Sequence, residues 1–304
     1  MTGDLRWVVA ELQDGMTVRT VLRRSKGVSS RLMRKAIYDT GELFVNGSPA
    51  RFVDKVRAGD EIRLVFPEEK SGFAPQDIPI SVIYEDDDLL VLDKQPGIVV
   101  HPTKGHADGT VANGVMRHML ARGESYKIRF ISRLDMDTSG VLLCGKNAHA
   151  QTDFARQAAD GAVDKIYLAI VHGALRGGGL IDTPIAPPSD GTPRRTVKPE
   201  AEGGYPSRTE WACEKVFAPA ASGGRTYSLV RLRLLTGRTH QIRVHMASIG
   251  HPVVFDALYG ETPGGAQRRQ LLHAAALRFR HPRDGRALGF EAPLPQDMQD
   301  FLKL

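Results

Sequence analysis

Asp135 has the surroundings expected of a catalytic acid. It lies within ISRLDMDTSGVLL, residues 131–143, close to Arg133 and ahead of an apolar run. An ionised carboxylate can stabilise positive charge on a sugar whose bond is breaking, or capture that sugar covalently. Burial favours the neutral form of a carboxylate, so such a site needs a fixed cation beside it. It also needs apolar walls that exclude water, and we expect residues 141–143 to form part of them.

Composition sets the broad class of protein. The chain has 304 residues, of which 41% are hydrophobic and 25% charged, as expected for a soluble globular protein with room for two domains. The N-terminus lacks the pattern of a secretion signal, and no apolar run is long enough to cross a membrane, so we expect a cytoplasmic monomer. A net charge of +6 suits a polyanionic partner such as nucleic acid.

Basic residues are concentrated near the N-terminus. Residues 19–35 contain no acid, and their apolar residues recur at roughly helical spacing, which predicts two short helices separated at Lys26-Gly27. Residues 42–47 then predict a strand that enters an Asn-Gly turn. The charges alone are more typical of a solvated helix face, and the hairpin and turn that follow favour a surface that binds RNA. They belong to Arg19, Arg23, Arg24, Lys26, Arg31, Arg34 and Lys35.

Residues 67–77 are charged, contain proline and glycine and lack periodicity, which predicts a linker between domains 1–66 and 78–304. The second domain mixes strand and helix patterns and is predicted to be α+β with a largely antiparallel sheet. We expect strands at 82–84, 89–92, 163–172 and 227–235, and helices at 109–120 and 148–159. Residues 176–206 are expected to form long loops, and the acidic residues 86–88 a solvated turn rather than a metal site.

Two separated blocks carry a family resemblance. Arg133-Leu134-Asp135 with Thr138-Ser139-Gly140 forms the first, and residues 237–245, GRTHQIRVH, followed by DALYG at 256–260, form the second. In this order they resemble the RluA-type RNA pseudouridine synthases, which isomerise uridine to pseudouridine. Residues 17–66 resemble the S-four-like RNA-binding module, a small helix-helix-hairpin domain.

The resemblance implies particular roles. Asp135 acts on the ribose as nucleophile or as base, Arg243 is its cationic partner, and Tyr167 stacks on the target base. Arg133 fills the space left when the uridine is flipped out of the RNA. The basic residues implied to bind RNA are Arg23, Arg24, Arg31, Arg34 and Lys35. The reaction involves no net gain or loss of atoms, so no cofactor or metal is expected.

The chain departs from the family pattern at three positions. Ser132 stands where histidine is common, Gln95 replaces a proline, and Phe255 replaces a glycine before Asp256. None of these positions carries a proposed catalytic group. The implied partner is structured RNA, with large-subunit ribosomal RNA ahead of transfer RNA. A catalytically inactive RNA-binding or ribosome-assembly protein is the alternative, and a glycoside hydrolase that uses Asp135 is more distant because no second carboxylate is evident.

Overall fold

A computed structural model describes residues 4–38, 42–66, 69–188, 191–219, 223–260 and 269–303. Its N-terminal region contains a four-stranded antiparallel sheet in the order β1-β4-β2-β3. The strands are β1 (Asp4–Val8), β2 (Glu42–Val45), β3 (Ser48–Pro49) and β4 (Glu61–Val65). The sequence did not predict β1, which covers an edge of β4 and completes the apolar core of this region.

The two predicted N-terminal helices are present. The first begins as α1 (Val18–Thr20) and continues as a π-helical turn, Val21–Ser25, and the second is α2 (Ser30–Tyr38). The Ser29 side chain accepts a hydrogen bond from the Leu32 N–H, which satisfies one free donor at the start of α2. The Asn46-Gly47 turn is confirmed, with both residues in the left-handed region that such a hairpin turn requires.

A ten-stranded mixed sheet forms the centre of the larger region. Its main path has the order β10-β13-β14-β9-β15-β8-β6-β5, while β16 pairs with β15 and β7 with β8. Among the described strands, β15 and β8 pair in parallel and the other pairs are antiparallel, which confirms the predicted fold class. The strands are β5 (Ser81–Glu85), β6 (Leu89–Lys94), β7 (Arg129–Phe130), β8 (Ser139–Gly145), β9 (Asp164–His172), β10 (Gly178–Asp182), β13 (Arg208–Phe217), β14 (Tyr227–Leu234), β15 (Leu272–Arg280) and β16 (Ala287–Glu291).

In the described part of the chain, four α-helices accompany this sheet. The predicted ones are α3 (Val111–Ala121) and α4 (Ala148–Ala159), and two more are α5 (Gln241–Ser248) and α6 (Gln296–Lys303). Apolar clusters fill the space between the sheet and the helices. No helix of the described chain is both long and apolar enough to cross a membrane.

Two local predictions were wrong. Residues 176–206 are not only loops, because they contain β10 and a two-stranded ribbon of β11 (Ile185–Ala186) and β12 (Thr196–Val197). Gly178 and Gly179 belong to β10, where a Cβ on Gly178 would lie 2.9 Å from the Trp211 carbonyl oxygen, so these glycines permit close strand approach. A loop was expected there, and the glycines instead belong to a strand that is closely packed against its neighbour.

The acidic turn at 86–88 is likewise solvated only at Asp87. Asp88 is buried and receives two hydrogen bonds from the Arg283 guanidinium, at 2.7 and 2.9 Å. Asp86 pairs with His281, with 2.9 Å between carboxylate oxygen and Nε2. Although burial opposes it, hydrogen bonds from His281 and Tyr84 hold the pKa of Asp86 far below its usual value. These carboxylates are therefore occupied by cations and donors of the chain itself.

The N-terminal region contacts the larger one through Trp7. Its indole Nε1 donates to the Arg283 carbonyl oxygen at 3.2 Å, and its ring lies edge-on to His149 at 5.8 Å. The intervening chain is also hydrogen-bonded, since the Ser71 hydroxyl accepts from the Ile128 N–H and the Gln76 side chain accepts from the Gly109 N–H. Residues 69–76 therefore follow the surface of the larger region.

Candidate active site

Asp135 lies on the loop that leads into β8. The buried Lys94 ammonium holds this loop by donating to the carbonyl oxygens of Met136 at 2.7 Å and Thr138 at 2.9 Å. Burial lowers the pKa of Lys94 to about 8, against the opposing charges of Asp137 and Asp135. Gly140 allows the close approach of β15, because a Cβ there would lie 2.2 Å from the Ala274 carbonyl oxygen and φ is +105°. The loop conformation is thus fixed from both ends.

Arg243 is the cationic partner that the carboxylate requires. It extends from α5, is only 5% exposed, and donates from Nη1 to Asp135 Oδ2 at 2.9 Å. Although burial works in the opposite direction, the carboxylates of Asp256 and Asp135 raise the pKa of Arg243 above its usual value. A permanently charged guanidinium therefore lies against Asp135, whose side chain keeps 27% exposure toward the cleft. Asp135 is accessible and ion-paired at once.

Asp256 is a member of this site that the sequence did not identify. Its fully buried carboxylate receives Arg243 Nε at 2.7 Å and Nη2 at 2.8 Å, and also accepts the backbone N–H groups of Leu258 and Tyr259. The bidentate contact of Nε and Nη2 with this carboxylate fixes the guanidinium plane, so that Nη1 is directed at Asp135. The DALYG run was noticed in the sequence, but only the fold shows that its aspartate grips the arginine.

Asp135 and Arg243 face a central cleft of about 610 Å³, which is within the usual size range of ligand sites. Tyr167, on β9, lines the same cleft. Burial, with a smaller effect of the Asp135 charge, raises the pKa of Tyr167 well above its usual value, so its phenol holds its proton at neutral pH. The three residues expected to act together are therefore brought together.

The expected source of the apolar wall was wrong. Val141, Leu142 and Leu143 lie in β8 and are buried in the core clusters on either side of the sheet, rather than at the cleft surface. The apolar lining comes instead from other segments, which include Val99, Val100, Ile131, Leu134, Leu234, Ile242 and Leu272. Side chains of a central strand alternate between two covered faces, so an apolar run there fills the core.

His240 also lines the cleft and was not among the predicted site residues. Its Nε2 lies 3.9 Å from Asp135 Oδ2, and its Nδ1 lies 3.0 Å from the Tyr259 hydroxyl. Burial lowers the pKa of His240, which the Asp135 charge opposes. The adjacent Tyr259 ring lies 5.2 Å from the Arg243 guanidinium carbon, so Tyr259 contacts both the His240 imidazole and the Arg243 guanidinium.

The residues expected to bind RNA lie in two places. Arg133 is exposed and lines the cleft directly beside Asp135. The N-terminal cations are not among the described residues of the cleft lining. Lys35 forms an ion pair with Glu69, with 2.7 Å between Nζ and Oε1, so part of its charge is neutralised within the chain. The side chains exposed to solvent are those of Arg23, Arg24, Arg31 and Arg34.

The fold and the site together define an enzyme with an open cleft, at whose floor a buried arginine holds an accessible carboxylate. A family model described as RNA pseudouridylate synthase matches residues 88–248, more than half of the chain and inclusive of Asp135, Tyr167 and Arg243. The chain belongs to this family and is therefore an RNA pseudouridine synthase, an isomerase.

Individual relatives agree with this assignment. The chain is 35% identical over 280 residues to an uncharacterized RNA pseudouridine synthase, YjbO, of Bacillus subtilis, covering 91% of this chain and 95% of that one. It is 38% identical to the ribosomal large subunit pseudouridine synthase D of Xanthomonas campestris, covering 86% and 81%. Human RNA pseudouridylate synthase domain containing 1 has a similar structure, with a TM-score of 0.58 and 28% identity, over 75% of this chain and 95% of that one.

Proposed function

We propose that this enzyme converts specific uridines of structured RNA to pseudouridine, that its substrate is large-subunit ribosomal RNA, and that Asp135 is essential. The observation that carries the proposal is the ion pair between Asp135 and the buried Arg243 at the floor of the cleft. The substrate class is supported by the name of the Xanthomonas relative, which covers most of this chain.

The chemistry follows from what each group can do. The bond between uracil N1 and ribose C1′ breaks, the uracil turns, and a bond between its C5 and C1′ forms, while C5 loses a proton and N1 gains one. Asp135 assists by acting on the ribose, either as a nucleophile at C1′ or as a base, and the Arg243 guanidinium pairs with its carboxylate in both roles. Apolar side chains around the cleft protect the cleaved sugar from hydrolysis.

Tyr167 and Arg133 are proposed to hold the substrate. The Tyr167 ring lies in the cleft wall, where it can stack on the face of the detached uracil. A uridine within folded RNA reaches Asp135 only after it is flipped out, and the exposed Arg133 next to the cleft is positioned to fill the vacated stack. Both side chains line the cleft.

The N-terminal domain, residues 1–66, is proposed to bind RNA as an S-four-like module that precedes the catalytic domain. Four exposed arginines support this, because phosphate contacts supply most of the affinity for nucleic acid. Lys35 contributes less in this proposal, since Glu69 is already its partner. We further propose that the enzyme works as a monomer in the cytoplasm.

The test replaces Asp135 and uses its neighbour as a matched control. Purified wild type, Asp135→Asn and Asp137→Asn are incubated with deproteinised large-subunit ribosomal RNA from cells that lack the gene, and pseudouridines are mapped chemically. We expect Asp135→Asn to abolish conversion with RNA affinity changed only a few-fold, because phosphates dominate binding. Asp137→Asn should keep its rate within about tenfold, since its side chain makes no contact with Arg243 among the described residues. Conversion by Asp135→Asn, or by none of the proteins, would contradict the proposal.

A further inference from the structure

His240 has an unusual backbone for its residue type. Its φ of 57° and ψ of 18° place it in the left-handed region, and it immediately precedes α5, where the Val244 N–H donates to its carbonyl oxygen at 2.9 Å. Histidine tolerates this region better than most residues, but the conformation still carries a cost of about 1 kcal/mol. This conformation places the imidazole between Tyr259 and Asp135.

We assign the tautomer of the imidazole from the hydrogen bonds around it. The Tyr259 hydroxyl oxygen accepts the backbone N–H of Arg195 at 2.7 Å, so the hydroxyl proton is available for the His240 Nδ1 at 3.0 Å. His240 Nδ1 is then an acceptor, and the ring proton resides on Nε2. That nitrogen points toward the Asp135 carboxylate. The site therefore presents an N–H donor and a carboxylate acceptor side by side.

The gap between them has a defined size. His240 Nε2 and Asp135 Oδ2 are 3.9 Å apart, which is too long for a direct hydrogen bond and short enough for one oxygen atom to contact both. Among the oxygens of a ribose, only a hydroxyl can both accept from Nε2–H and donate to the carboxylate. In an internal RNA nucleotide the 3′ and 5′ oxygens are esterified to phosphate, so the 2′-hydroxyl is the only hydroxyl of the sugar. It is attached one carbon away from C1′.

We propose that His240 and Asp135 together bind the 2′-hydroxyl of the target ribose. This inference rests on the proposed function, because it assumes that Asp135 approaches C1′ of an RNA nucleotide. The contact holds C1′ beside the carboxylate and selects ribose over deoxyribose at the reacting position. Tyr259 is a positioning residue in this arrangement, since its hydroxyl fixes the imidazole tautomer and its ring packs against Arg243.

The experiment combines an enzyme variant with a substrate variant. The substrate is an RNA fragment that contains a uridine shown to be converted by the wild type, made with either uridine or 2′-deoxyuridine at that one position. His240→Asn is the main variant, because asparagine accepts the left-handed backbone while its shorter side chain ends farther from Asp135. Single-turnover rates are measured with enzyme in saturating excess, which isolates the steps after binding.

We expect the 2′-deoxy substitution to slow the wild type about tenfold to a hundredfold, as for loss of a partner to a buried donor. In His240→Asn the same substitution should slow the rate less than about threefold, because the contact is already gone. Tyr259→Phe should show intermediate sensitivity. A matched control is His245→Gln, which alters another buried histidine of α5 that bonds to Thr209 and Thr183 and should keep the full wild-type sensitivity.

Two results would overturn the inference. One is an equal effect of the 2′-deoxy substitution in wild type and His240→Asn, which would mean that His240 supports only the structure. The other is a wild type that converts the deoxy substrate at the normal rate. Neither is confused with failure of the proposed function, because that failure appears earlier, as absence of conversion of the unmodified RNA by the wild type.

Discussion

Replacing Asp256 by asparagine should damage this enzyme although Asp256 lies behind the reacting groups. Its Oδ1 accepts from Arg243 Nη2, Leu258 N and Tyr259 N, and its Oδ2 accepts from Arg243 Nε at 2.7 Å. An asparagine would keep its amide oxygen at the position with three donors. Its NH₂ group would then face the Nε–H of Arg243, so that two donors meet where a charge-assisted hydrogen bond existed.

The expected cost follows from burial. Breaking a buried ion pair by removing one partner costs about 3–5 kcal/mol, and Asp256 is fully buried with Arg243 only slightly exposed. The half-exposed pair of Asp164 and Arg233 provides a control, because such pairs contribute about 0–1 kcal/mol. Catalysis should fall as well, by about a hundredfold, since a displacement of Arg243 by about 1 Å misaligns Asp135.

The assays are urea unfolding followed by circular dichroism, and single-turnover pseudouridine formation with RNA in the presence of saturating enzyme. We expect Asp256→Asn to lose several times more unfolding free energy than Asp164→Asn, with RNA affinity nearly unchanged in both. If the two variants lost equal stability and kept equal rates, the argument that Asp256 fixes Arg243 would be refuted.

Three further outcomes follow from the same structure. Gly140→Ala should lower the unfolding free energy by at least about 2 kcal/mol, because the new Cβ would collide with the Ala274 carbonyl. Gly72→Ala is the control, since Gly72 lies in open space, and it should cost about 0.5 kcal/mol or less. From about pH 8 to pH 10, Lys94 keeps its proton in the unfolded chain but has lost it in the native protein. The free energy of unfolding of the wild type should therefore rise with pH relative to that of Lys94→Met. Parallel curves of unfolding free energy against pH for the two proteins would contradict this. Four exposed arginines of the two N-terminal helices, Arg23, Arg24, Arg31 and Arg34, are replaced together by glutamine in the last test. The slope of log affinity against log salt should flatten by about 0.7–0.9 for each lost phosphate contact, and an unchanged slope would mean that these arginines only face solvent.

Sequence patterns predicted the central sheet where strands carry local signals. In β14 the apolar Val230 and Leu232 alternate with Arg231, and the structure buries the former and exposes the latter. Strand β10 gave no such signal, because it begins with two glycines. These glycines allow β13 to approach closely. Whether a glycine permits packing or flexibility depends on a neighbour distant in the sequence, which a local pattern does not contain.

The sequence predicted those residues of the candidate site whose roles the family motifs imply. Asp135, Tyr167 and Arg243 were singled out by the resemblance, and the structure brings them to one cleft. Asp256 and His240 were inside the quoted motifs but had no assigned role, because their importance depends on which atoms they face. A buried carboxylate that grips an arginine looks, in a sequence, like any aspartate before a turn.

Phe255 illustrates how the site is maintained when a motif residue changes. The family pattern has glycine there, and Phe255 nevertheless adopts a φ of 61°, a conformation that costs a non-glycine residue about 1–2 kcal/mol. Its ring packs edge-on against Phe301 at 5.7 Å and contributes to an apolar cluster with α6, which offsets this cost. The left-handed turn immediately precedes Asp256, which receives the N–H groups of Leu258 and Tyr259 while gripping Arg243. The backbone shape is therefore imposed by the contacts of the aspartate that follows, and glycine is one way, but not the only way, to accommodate it.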